Sequence, residues 1–203
     1  MVQEYLAQHI IELYQQHARE WIELRGKALS EKVWLDRFLT LLPSSASILD
    51  LGCGSAQPIA AYFIAQGHQV TGVDASEYMI EMARQSFPEQ VWVQQDFREY
   101  FTEQKFQGIL AWDSFFHLTQ DDQRKMFKRF AEYAQSGTAL MFSSGPEQGE
   151  AIGSLFGEPL YHASLSAEEY QALLQDHGFT LIKMIAEDVE CTGHTIWLAQ
   201  YRS

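Results

Sequence analysis

The period of the hydrophobic positions changes along the chain. Over residues 2–24 they recur every three or four places, with Leu6, Ile10, Leu13, His17, Trp21 and Leu24 on one stripe, the spacing of an amphipathic helix. Gly26 breaks the stripe. A second helix is predicted from about Ser30 to just before Pro43, carrying Trp34, Leu35, Phe38, Leu39 and Leu42. Short apolar runs then alternate with helical segments. Strands are predicted at 47–51, 69–74, 91–95, 107–112 and 138–143, and helices at 57–66, 76–85 and 121–135. Residues 144–165, with four glycines and two prolines, read as irregular. A helix at 166–177 opens on a capping box, Ser166 with Glu169, and ends at Gly178. Strands at 180–186 and 195–201 close the chain.

Strands that alternate with helices form a parallel sheet covered on both faces. The expected fold is therefore α/β, a Rossmann-like three-layer sandwich with a mostly parallel seven-stranded sheet. Only 187–194 separate the last two strands, so these should pair as a C-terminal antiparallel hairpin. Residues 1–43 read as an N-terminal helical cap of the same domain, and 44–203 as its core.

Composition narrows the function. A chain that is 46% hydrophobic and 20% charged suits one compact soluble domain. The formal net charge of −13, with no basic stripe, argues against nucleic acid and anionic membranes as partners. No stretch approaches the length of a membrane span. Cys53 and Cys191 lie far apart, without metal-ligand spacing, so no metal is expected and a reducing compartment is the simplest reading. The first residues lack a signal-peptide pattern, which fits a cytoplasmic protein.

Four sets of residues carry candidate chemistry, each at the carboxyl end of a predicted strand. The first is Asp50-Leu51-Gly52-Cys53-Gly54, a strand end that turns on two glycines into a helix. Such a turn lets backbone approach the polar part of a nucleotide-like ligand. A dinucleotide fingerprint would need a third glycine where Gln57 stands. Asp50 is an acid in an apolar run, and burial requires a partner, either turn N–H groups or a cationic ligand. The second is Asp74, 20 residues beyond Gly54, where a carboxylate can accept from both ribose hydroxyls or cap the next helix. The third is Asp96-Phe97, an acid and a ring suited to the edge and face of an adenine, or a plain helix start. The fourth is Trp112-Asp113-Ser114-Phe115-Phe116-His117, an aromatic loop holding an acid and an imidazole able to take a proton near neutral pH. His117 is the first candidate base, with Asp113, His162 and His194 behind it. Tyr14, His17 and Trp21 read either as a core stripe with satisfied polar tips or as part of a lid.

From about Ser44 onward these residues resemble the class I S-adenosylmethionine-dependent methyltransferases. Leu49-Asp50-Leu51-Gly52-Cys53-Gly54-Ser55 is similar to that family's glycine-rich motif, and Val73-Asp74-Ala75-Ser76 to its ribose-binding acid, with Met79 nearby. Gln95-Asp96-Phe97 looks like its adenine-binding pair and 109–114 like its fourth motif. The resemblance implies S-adenosylmethionine as cofactor and S-adenosylhomocysteine as product. It implies Gly52 and Gly54 near the amino-acid end with Asp50 supporting the turn, and Asp74 on the ribose. Ala75, Met79, Asp96 and Phe97 would surround the adenine, and backbone near Trp112 would face the methionine moiety. Tyr14 and Trp21 become lid candidates, because a helix before the first strand closes over the cofactor in many relatives. No Asn-Pro-Pro-Tyr tetrad or Pro-Cys pair follows the fourth strand, which disfavours amino-methylation of planar amides and cytosine C5 chemistry. The expectation is methyl transfer to a small-molecule acceptor at O, N or S by a monomer or homodimer. The alternatives are a nicotinamide-dependent oxidoreductase, a non-catalytic cofactor-binding module, or methylation of protein.

Overall fold

The computed structural model describes residues 2–202, and side chains from Tyr5 onward; Met1 and Ser203, the outer ends of the predicted cap and core, lie outside the described residues. The predicted first helix is two, α1 (Val2–Gln16) and α2 (Ala18–Arg25), followed by α3 (Lys32–Leu39). The break falls at His17, whose backbone (φ −105°, ψ 20°) leaves the helical region. The stripe continues across it because Trp21 N–H still reaches the His17 carbonyl at 2.8 Å. Gly26 ends α2 as expected, at φ 58° with its N–H on the Ile22 carbonyl.

The core alternates as predicted: β1 (Ser47–Leu51), α4 (Ile59–Ala65), β2 (Gln69–Asp74), α5 (Glu77–Ser86), β3 (Val91–Gln94), β4 (Phe106–Ala111), α6 (Gln120–Tyr133) and β5 (Ala134–Ser144). After these come β6 (Gly149–Leu155), β7 (Glu158–Ser164), α7 (Ala167–Asp176), β8 (Phe179–Asp188) and β9 (His194–Tyr201). The predicted Ser166 cap forms, its side chain accepting from Glu169 N–H, and the Ser76 and Thr119 side chains cap their helices in the same way, on the Met79 and Asp122 N–H groups.

One sheet holds seven strands in the order β3-β2-β1-β4-β5-β9-β8, parallel except for β9. The terminal hairpin β8–β9 is antiparallel, as expected. The order reverses between β1 and β4, and a parallel sheet opens a crevice at the carboxyl ends there. The period-2 alternation of β1 sends Leu49 and Leu51 into the layer under α6 and α7, and Ile48 into the layer with α3, α4 and α5. Asp50 shares the face of Ile48, one step nearer the crevice.

One expectation fails. Residues 149–164 are no irregular loop but a two-stranded antiparallel sheet, β6–β7, with Leu155 opposite Glu158. The two turn residues, Phe156 (φ 51°) and Gly157 (φ 90°), both sit at positive φ, as a tight hairpin demands. No alternation announced it, because β6 is exposed along all but its last residue. Apolar residues of β7 instead pack under α1, in a small core of Ala7, Ile10, Leu155, Leu160, Tyr161 and Ala163.

Candidate active site

The crevice between the sheet and α1–α2 is a cleft of about 1260 Å³, its open mouth included. Most of the residues singled out from the sequence line it, though His162 and His194 do not: Asp50, Gly52, Gly54, Asp74, Ala75, Met79, Asp96, Phe97, Trp112, Asp113 and His117 from the core, and Tyr14 and Trp21 from the cap.

At its floor the glycine turn is held from β2. Gly52 N–H and Cys53 N–H both reach the Val73 carbonyl, at 2.7 and 3.1 Å. A Cβ on Gly52, which sits at φ +81°, would lie 2.3 Å from Ser114 Cβ, so glycine is demanded by sterics as well as by conformation. The carboxylate that supports the turn is Asp74, whose two oxygens accept from Gly54 N–H (2.9 Å) and Ser76 N–H (2.8 Å). This corrects the expected division of labour, since the supporting role was assigned to Asp50. Among the described residues no hydrogen bond reaches the Asp50 carboxyl, which is 4% exposed. Burial, with the Asp74 charge behind it, raises its pKa to about 7. Asp74 is also raised by burial, against the pull of its two N–H donors. Each of its oxygens keeps acceptor capacity beyond the one bond it makes.

Further along, Asp96 meets Arg98, a residue the sequence reading passed over. The guanidinium holds both carboxylate oxygens, Nε donating to Oδ1 at 3.0 Å and Oδ2 at 2.9 Å and Nη2 to Oδ2 at 2.5 Å, and backbone Arg98 N–H adds a 2.9 Å bond to Oδ1. Arg25 also lines the cleft; its guanidinium is bound to the buried Glu31 and to the Ala28 carbonyl. A cation just before a helix-ending glycine, with an acid six residues on, was the available signal.

The aromatic loop turns through a short 3₁₀ segment, Phe115–His117. Phe115 enters the core among Phe127, Phe130 and Phe142. His117 is buried and spans two elements. Its Nδ1 lies 2.8 Å from the Tyr161 carbonyl of β7 and its Nε2 3.0 Å from the Tyr14 hydroxyl of α1. The carbonyl requires the proton on Nδ1, so Nε2 is the acceptor and Tyr14 donates. Burial depresses the imidazole pKa to about 4. His117 is thus a neutral ring whose lone pair is already taken, which removes the free base that the sequence suggested.

Asp113 sits at φ 49°, its N–H held by Ser143 Oγ at 2.9 Å. His194, from the start of β9, places Nε2 2.8 Å from Asp113 Oδ1 and Nδ1 2.8 Å from the Cys191 carbonyl. Both ring nitrogens face acceptors, the pattern that favours imidazolium, and the bond to Asp113 raises the His194 pKa. The ring stacks on Trp112 with centroids 5.3 Å apart. His162 stacks on His117 at 5.0 Å. A second recess, of about 430 Å³ with open solvent, joins the cleft here; Tyr14, Trp21, Asp113 and His117 line both, and Phe116, Leu160, His162 and His194 complete it. No cluster able to hold a metal ion occurs among the described residues. No helix described is long and apolar enough to cross a membrane.

Residues 48–137 match the family described as methyltransferase domain. Among curated relatives, the O-methyltransferase resE of Aspergillus sclerotiorum is 28% identical over 159 residues, covering 70% of this chain and 58% of that protein. The chain spans 54% to 62% of the length of the curated relatives it matches. Among solved structures, the Burkholderia thailandensis 1,6-didemethyltoxoflavin-N1-methyltransferase, with bound 1,6-didemethyltoxoflavin and S-adenosylhomocysteine, superposes at TM-score 0.73. It is 19% identical, and the match covers 98% of this chain and 88% of that one. The magnesium protoporphyrin IX methyltransferase of Synechocystis PCC 6803, with bound S-adenosylhomocysteine, gives 0.74 at 17% identity, covering 97% and 99%. Residues 48–137 thus resemble a methyltransferase domain, and the whole chain shares the fold of these solved methyltransferases.

Proposed function

We propose that the cleft binds S-adenosylmethionine and that the protein methylates a small-molecule acceptor held in the adjoining recess. The observation that carries this reading is Asp50: a buried carboxyl on the cleft wall with no hydrogen bond from the described protein. An ammonium group of a ligand is the partner it lacks, since an unpaired buried carboxylate is costly. The other donors and acceptors fit the same molecule. Asp74 retains acceptor capacity for ribose hydroxyls. Ala75, Met79 and Phe97 offer apolar surface for a purine, and the Arg98-bound Asp96 retains acceptor capacity for its edge. The bound sulfonium supplies an already activated methyl group. The protein then has to orient the acceptor and exclude water, and Tyr14 and Trp21 at the seam of both cavities suit that work.

Relatives named as O-methyltransferases and neighbours crystallised with S-adenosylhomocysteine support the same reading. A second recess beside the cleft favours catalysis over simple ligand storage. Residues 1–43 act as the cap in this reading, 44–203 as the core, and the protein works in the cytoplasm as a monomer or homodimer without nucleic acid.

Calorimetric titration with S-adenosylhomocysteine, with NAD as control, tests it. Binding of the first near micromolar Kd, about −8 kcal/mol, and none of the second is expected. Binding of NAD alone, or of neither, would overturn the proposal.

A further inference from the structure

We propose that the recess beside Asp113 takes a flat aromatic molecule through its ring hydroxyl, with Asp113 Oδ2 receiving the hydroxyl and His194 fixing the carboxylate from behind. Three observations carry this. First, the Asp113 carboxylate is half committed. Oδ1 accepts from His194 Nε2 at 2.8 Å, whereas Oδ2 has no hydrogen bond among the described residues. Second, the residue is held in place by more than its side chain. The backbone stands at φ 49°, and Ser143 Oγ accepts the N–H at 2.9 Å. An L-residue other than glycine adopts that conformation at a cost, and such strain collects at working sites. Third, the walls are rings: Trp21, Phe116 and His162 line the recess around Asp113. Flat apolar surfaces suit a flat apolar ligand.

The charges select among acceptors. A carboxylate on the ligand would face Asp113 and the acidic surface of a chain with net charge −13, which disfavours it. A neutral hydroxyl donates to Oδ2 without such a cost. When the proton moves, the acceptor O–H bond breaks and its electron pair stays on the acceptor oxygen. A new O–H bond forms on Asp113 Oδ2. The resulting oxyanion then lies beside a neutral acid whose other oxygen stays bound to the His194 Nε2. His194 stays on its own two acceptors and on the Trp112 face throughout. It is a positioning residue, and Asp113 is the group that touches the acceptor.

The methyl-transfer reading supplies the use of that oxyanion, but binding through Asp113 can be tested without it. The probes are 2-naphthol, its methyl ether 2-methoxynaphthalene, and 2-naphthoate, titrated into the protein with protein-observed NMR. The expected result is that naphthol shifts the His194 and Trp112 ring signals and binds about tenfold tighter than the ether, a ratio equal to ~1.4 kcal/mol. Naphthoate binds more weakly than both. Asp113→Asn, a residue that tolerates positive φ, erases the preference for naphthol over the ether. Should that variant not fold, His194→Phe keeps the ring stack, removes the partner of Oδ1, and must lower the same ratio. Equal binding of naphthol and ether, a ratio unchanged in the variant used, or no binding of naphthol at its solubility limit overturns the proposal. Titration of the parent protein with S-adenosylhomocysteine is read separately, so a failed cofactor site and a failed acceptor site give different results.

Discussion

Tyr14 and His117, 103 residues apart in sequence, share one hydrogen bond of 3.0 Å that ties the first helix to the loop after β4. The other ring nitrogen of His117 holds the β7 carbonyl of Tyr161 at 2.8 Å. One imidazole therefore joins cap, hairpin and sheet at the rim of the cleft.

Tyr14→Phe keeps the ring and deletes this bond, leaving the buried His117 Nε2 without a donor. The expected cost is about 1–2 kcal/mol of stability, read by denaturant unfolding. Amide exchange should quicken along α1 and stay unchanged in β1 and β4. Unaltered exchange in α1 would show that the helix is held by its apolar face alone.

His117 makes stability depend on pH. Its folded pKa of about 4 lies below the ordinary 6.5, so the unfolded chain binds more protons between those values. Stability should rise as pH climbs from 4 to 6.5, and be lost as pH falls. His117→Asn should flatten this window in melting curves, against a parent whose melting point climbs through it. It should also lower stability throughout, because two elements lose their shared partner.

Asp50 acts in the opposite sense. Its folded pKa stands at about 7 against 3.8, so the folded protein holds the extra proton and stability falls as pH rises between the two. Asp50→Asn should melt above the parent at pH 8 and converge with it near pH 4. The same variant should lose affinity for S-adenosylhomocysteine by about tenfold or more, as a charged partner of the ammonium is removed. A melting point equal to the parent's at both pH values would sink the account of an unpaired carboxyl.

Asp74→Ala removes an acceptor used by Gly54 and Ser76 and offered to the ribose. Affinity for S-adenosylhomocysteine should fall by ~2–3 kcal/mol in calorimetry, and the glycine turn should loosen. Unchanged affinity would return Asp74 to a purely structural role.

Two glycines of one turn should answer differently to alanine. At Gly52 a Cβ would stand 2.3 Å from Ser114 Cβ, and Ser114 is pinned by its bond to the Leu51 carbonyl at 2.7 Å. Gly52→Ala should cost about 3 kcal/mol of folding stability. At Gly54 nothing lies within 4 Å, and only the positive φ is penalised. Gly54→Ala should cost ~1 kcal/mol, with the main loss in ligand binding. Comparable stability loss in both would mean that the turn, rather than Ser114, sets the limit.

What was legible in the chain is what local chemistry dictates. The alternation of short apolar runs with helical stretches, the serine and threonine caps, and the two-residue period of β1 depend on neighbours a few places away. Strand ends in a parallel sheet converge on one edge, so Asp50, Asp74, Asp96 and the loop at 112–117 could be placed on one site from their order alone. Three things required the tertiary structure. The β6–β7 hairpin has no alternating pattern, because its buried side faces α1, more than 130 residues earlier in the chain, and most of β6 faces solvent. Support of the turn falls to Asp74 rather than Asp50 because the turn's N–H groups point toward the end of β2. His117 is no free base, and Asp113 is the acceptor proposed in its place, because each imidazole takes its state from partners distant in sequence: Tyr14 and Tyr161 around His117, and Asp113, 81 residues before His194. Periodicity fixes which face a side chain occupies, and only packing decides which donor or acceptor meets it there.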